Sequence, residues 1–155
     1  VPYQQPQAAE RLSVQPPIVP VQTESPIKST ARQLLEGFDD QQWVYWCIDE
    51  KYPIALATDV LDQIAGLIQK DDSVLDGVDG LLCCRTHSHL VHNGPSYQQG
   101  RRVNLAGQDF FRRTNFMHIW VHQFLRVGVL RHLFNGFPDH IPNAKVMDDL
   151  LHEVH

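Results

Sequence analysis

The stretch QDFFRRTNFMHIWVHQFLRVGVLRHLF, residues 108–134, constrains the fold more than any other, because it is the longest run with apolar side chains at helical spacing. Phe110, Met117, Val121 and Phe124 fall on one stripe of an ideal helix, and Phe116 and Trp120 widen it. Such a stripe has to be buried, so the spacing predicts a long helix as the spine of the core. Gly128 divides it from a second helix through Leu130, Leu133 and Phe134, which NGFPDHIPN ends.

Other segments take their places around that spine. STARQLLEGF, from Ser29, has a Ser or Thr cap, helix formers and Gly37 as a stop, which predicts a short helix. Trp43 to Ile48 are consecutive apolar residues that suit a buried strand, but Asp39 with Gln42 three later resembles a capping box and Pro53 follows, which favours a buried helix. TDVLDQIAGLIQKDD places Val60, Leu61, Ile64, Leu67 and Ile68 at helical spacing behind a Thr58 or Asp59 cap. SVLDGVDGLLCCR is broken by Gly77 and Gly80 and suits a turn feeding a short helix or strand, and residues 92–107 read as a long loop. AKVMDDLLHEVH reads as a final amphipathic helix. The expected fold class is mainly α, a single compact helical domain over residues 29–155, with α+β containing a few short strands as the alternative.

Residues 1–28 hold six of the ten prolines and many glutamines, and read as an extended arm or linker biased to polyproline II. Val1 is not an initiator residue, so the chain is expected to come from a longer or processed polypeptide. The 155 residues, 43% of them apolar, are enough for one domain with a real core. No run approaches the roughly 18 apolar residues of a membrane span, and the start lacks the basic-then-apolar order of a signal peptide. Three cysteines, two of them adjacent, make a poor disulfide framework; reduced thiols point to an intracellular location, cytoplasmic or nuclear.

The net charge of −5 conceals a division. Residues 1–84 have 13 acidic and 5 basic side chains, whereas residues 85–132 have seven arginines against Asp109 alone. Arginine's planar fork suits carboxylate or phosphate, so the acidic first half or an external anion is the expected partner of this segment.

LLCCRTHSHLVHNG, residues 81–94, gathers Cys83, Cys84, His87, His89 and His92. Cys84 with His87, and His89 with His92, have the local spacing of zinc ligands, but adjacent cysteines do not make the usual Cys-x-x-Cys knuckle. As a strand the segment would put His87 and His89 on one face; as a helix it would group Arg85, His89 and His92 instead. The plainer reading is a buried-cysteine turn leading into a polar histidine loop. His118 and His122, four apart on the expected long helix, could share an ion, though the residue after His118 is not the Glu of the metalloprotease motif. A Cys83 or Cys84 nucleophile lacks any visible orienting partner, and there is no phosphate loop, Gly-x-Ser-x-Gly elbow or carboxylate pair.

These features lead to a non-catalytic protein-interaction module, adaptor or assembly in kind, within a larger polypeptide or complex, needing no cofactor and partnered by another protein or by itself. The first alternative is a nucleic-acid-binding domain using the Arg-rich segment 85–132, with Arg101, Arg102, Arg112 and Arg113 on phosphates and Tyr97 or Phe111 stacking a base. The second is a zinc-binding protein using the cluster at 83–92.

Overall fold

The computed structural model of the chain, which describes residues 2–3, 19–47, 57–83, 97–113, 119–141 and 143–154, carries strands where the sequence suggests its longest helix. The order is β1 (Pro2–Tyr3), β2 (Val21–Gln22), α1 (Ile27–Leu34), β3 (Trp43–Trp46), α2 (Thr58–Lys70), a 3-10 turn (Ser73–Leu75), β4 (Gly80–Leu82), β5 (Tyr97–Leu105), β6 (Gln108–Arg113), β7 (Gln123–Arg126), α3 (Val127–Gly136) and α4 (Ala144–Val154). This α+β mixture, with two small antiparallel sheets, overturns the expected mainly α class. The described residues fall into two compact units, one from residues 1–42 and 127–155, the other from 43–126.

In the first unit the second helix expected through Leu130, Leu133 and Phe134 is present as α3, which begins just before Gly128. Val127, Leu130, Leu133 and Phe134 are buried along α3, and Phe134 meets Phe137 edge to face at 5.9 Å. Ala31 and Leu35 at the end of α1, with Met147 and Leu151 of α4, are buried as well. Polar contacts tie α1 to the end of α3: Arg32 Nε donates to Asn135 Oδ1 at 3.0 Å, and the Lys28 ammonium to the Phe137 carbonyl. Arg131 reaches Asp40 and donates to the Leu35 carbonyl at the end of α1 and to the Phe38 carbonyl beyond it. At the other end of α3, Val127 N–H donates to Gln42 O and Gly128 N–H to Asp40 O, both at 2.9 Å, so borrowed backbone carbonyls cap its first turn. The Ser or Thr cap expected for α1 is not used: the helix begins at Ile27 behind Pro26. Pro2 and Tyr3 pair parallel with Val21 and Gln22, while residues 4–18 of the expected arm lie outside the described residues.

The second unit is built on a three-stranded antiparallel sheet ordered β3-β7-β4. Trp43 faces Arg126 and Trp46 faces Gln123 on one side of β7; Gly80 faces Leu125 and Leu82 faces Gln123 on the other. β7 lies in the middle, with Gln123, Phe124 and Leu125 all buried. A strand covered on both faces has no alternating pattern to tell it from a buried helix, so the expected long helix gives way to β6 at its start and β7 at its end, while its residues 114–118 lie outside the described residues. The helix expected over residues 43–48 is likewise β3 across Trp43–Trp46. Its capping-box bond does form, Asp39 N–H to Gln42 Oε1 at 2.6 Å, but together with Gln42 N–H to Asp39 O it closes a turn, and four aromatic and β-branched residues then extend.

The loop expected over residues 92–107 contains β5, which pairs with β6 in a hairpin. The turn is Ala106–Gly107, with φ of 49° and 72°, the two left-handed residues that a tight hairpin requires. Val103, Leu105 and Phe110 face inward to a core of Ile64, Leu75, Leu81 and Phe124. α2 contributes Ile64 to that core and starts behind Ala57, without the side-chain bond expected from Thr58 or Asp59.

Candidate functional site

The β5–β6 hairpin brings onto two paired strands residues that the sequence assigned to separate elements. Arg101 and Arg102 were expected in a loop and Arg112 and Arg113 at a helix start; they occupy the two strands of one hairpin. The register places Arg102 opposite Phe111 and Asn104 opposite Asp109, with a bulge between Tyr97 and Arg102. Arg102 NH1 lies 3.2 Å from Asp109 Oδ2, and Asn104 Nδ2 donates to Asp109 Oδ1 at 2.8 Å. The carboxylate thus holds two side chains of β5 in place, and partly neutralises the arginine. Phe111, 59% exposed, stands beside them, an aromatic ring on the water-facing side.

At one end of the three-stranded sheet, Cys83 N–H donates to His122 O at 3.3 Å, so the β4–β7 ladder runs one step past its last paired residues. Cys83 is half-buried, with Sγ 3.4 Å from Leu81 O, and His122 Nδ1 lies 3.3 Å from the Tyr45 hydroxyl. That contact fixes the orientation of the His122 ring against Tyr45, whose ring centre lies 6.0 Å away. His122 precedes β7 and is not on a helix, which removes the helical i, i+4 geometry supposed for His118 and His122. Cys84, His87, His89, His92 and His118 lie outside the described residues. Among the described residues, no group of three or more His, Cys, Asp or Glu side chains could hold a metal ion.

A third cluster escaped the sequence reading. Trp43 Nε1 donates to Asp72 Oδ2 at 3.1 Å, Arg126 NH1 reaches the same oxygen at 3.1 Å, and the Arg126 guanidinium lies 4.6 Å from the centre of the Trp43 ring. Arg126 Nε also donates to Val78 O at 3.3 Å. The indole N–H, helped by the guanidinium and opposed by partial desolvation, lowers the Asp72 pKa below its ordinary value. The arrangement clamps the start of β3 and the end of β7 to the chain after α2. Its only sequence signal is the charge division: Arg126 and Arg131 belong to the basic segment, and both meet aspartates of the acidic first half.

Comparison of the chain with protein-family models, with curated proteins and with solved structures finds no match in any of the three. Among the described residues, no helix is long and apolar enough to cross a membrane.

Proposed function

We propose that the chain is a non-catalytic protein-interaction module whose contact surface is the outer face of the β5–β6 hairpin. The observation that carries this is Phe111, 59% exposed on a face whose one described arginine is already engaged by Asp109. An exposed aromatic ring gains most by being covered, and a ring bordered by paired charges resembles the anchor and polar rim of protein contacts. We place the module inside the cell, where its odd set of thiols would stay reduced.

The test compares the wild-type chain with Phe111→Asp in cross-linking mass spectrometry, after circular dichroism has shown equal folding. Cross-links from residues 97–113 to a partner protein should be present for the wild type and lost in the variant; the same partners and yields for both chains refute the reading. The concentration of four arginines on the hairpin favours a second reading, nucleic-acid binding. Salt titration with DNA and RNA decides it: affinity that falls steeply with salt supports it, and no salt-sensitive binding ends it.

A further inference from the structure

We infer that the partner of the hairpin is a second copy of this chain, docked through the acidic segment that runs from α2 to β4. This rests on the contact reading above and names the occupant of that surface.

The argument begins with segregation of charge inside one unit. Residues 57–83 hold Asp59, Asp62, Asp71, Asp72, Asp76 and Asp79 against Lys70 alone. The hairpin holds Arg101, Arg102, Arg112 and Arg113 against Asp109 alone. Opposite charges so divided attract two copies in the orientation that brings unlike segments together, and resist like-to-like approach. Of the six aspartates, Asp72 is engaged with Trp43 and Arg126, and Asp71 accepts from Ser73 N–H at 3.0 Å; Asp59, Asp62, Asp71, Asp76 and Asp79 all have exposed side chains. Arg102 meets Asp109 of its own hairpin.

Each of the two segments also carries apolar surface. Leu67, 42% exposed, and Val74, 50% exposed, belong to the acidic one, and Phe111 to the basic one. Covering them supplies the attraction that charge alone, screened by salt, does not. A polyanion such as nucleic acid fits less well: the chain is net −5, and the acidic segment lies in the same unit as the hairpin. A second copy brings an acidic segment and a basic hairpin at once, so attraction is satisfied in both directions.

The experiment is sedimentation velocity on the full chain over a range of concentration and salt, with three variants. The first is Arg101→Glu/Arg102→Glu/Arg112→Glu/Arg113→Glu, the second Asp59→Lys/Asp62→Lys/Asp76→Lys, and the third Phe111→Asp alone. The wild type should associate reversibly and less so at high salt, and each charge variant by itself should be monomeric. An equimolar mixture of the two charge variants should recover a complex, because the inverted surfaces complement one another. Phe111→Asp should weaken association about tenfold or more, and it carries the test if a multiply substituted chain fails to fold. A wild-type chain that stays monomeric overturns the inference. If that monomer still captures a different protein that Phe111→Asp loses, or binds nucleic acid with strong salt dependence, the hairpin has another partner; if it captures nothing, the contact reading falls as well.

Discussion

Replacing Lys28 by Met should cost the first unit about 2–4 kcal/mol, and the structure shows where that loss arises. Lys28 is only 7% exposed, and its ammonium lies among the Phe137 carbonyl, the Asn135 carbonyl at 3.4 Å and Asp139 Oδ1 at 2.8 Å. Both carbonyls stand at the end of α3, where unpaired C=O groups gather partial negative charge. Methionine keeps most of the stem's length and packing but removes all three donors. A charge-assisted hydrogen bond contributes about 1.5–3 kcal/mol, and a buried acceptor left without a partner costs about 1–3 kcal/mol; the terms overlap, hence the range given. For a chain of this size, about 2–4 kcal/mol corresponds to a fall in Tm of roughly 5–15 °C, with a matching loss in urea unfolding at unchanged m. The Lys28 partner lowers the Asp139 pKa from its ordinary 3.8. A depressed carboxylate stabilises the fold above its unfolded pKa and loses that contribution as pH falls through the folded value. The difference between wild type and Lys28→Met should therefore narrow below about pH 4. A loss under about 0.5 kcal/mol at neutral pH would refute the reasoning, because it would mean that water serves these carbonyls as well as the ammonium does.

Three further predictions follow from single residues. Ala106 has a φ of 49°, where a Cβ is strained, so Ala106→Gly should stabilise the chain by about 0.5–1 kcal/mol in denaturant unfolding. A Cβ on Gly128 would lie 3.2 Å from Asp40 O and 3.1 Å from Asp40 Cβ, so Gly128→Ala should lose about 1 kcal/mol, the crowding outweighing the better helix propensity of alanine. Asp72→Asn should shift tryptophan emission and destabilise the second unit at neutral pH; because the Asp72 pKa is lowered, the difference from wild type should shrink as pH falls below the ordinary 3.8.

What the sequence shows and what it hides divide along physical lines. α2, α4 and the latter part of α3 are legible because each buries one face, so Ile64, Met147 with Leu151, and Leu130 with Leu133 betray the helical period. β7 is hidden because Gln123, Phe124 and Leu125 are buried on both faces. β3 is hidden because a genuine capping-box bond at Asp39 closes a turn and not a helix. The hairpin turn is Ala-Gly and lacks the Asn-Gly or Asp-Gly signature, so β5 and β6 pass for loop and helix. Of the candidate site, the arginines are visible in the sequence and their common hairpin is not. The neighbourhood of Cys83, His122 and Tyr45, and the pairing of Trp43 and Arg126 with Asp72, arise from segments far apart in sequence, which local spacing cannot reveal.

The register of β3 with β7 makes Trp43 and Arg126 partners across the sheet, and they are also the first and last residues of the second unit. The chain enters and leaves that unit through neighbouring strands, while Gln42 O and Val127 N–H, the residues on either side, are themselves bonded at 2.9 Å. Residues 43–126 therefore form a cassette inserted at one point of a helical host: a short linker could reconnect the host once it is removed, and its own ends are close enough to be joined or grafted elsewhere.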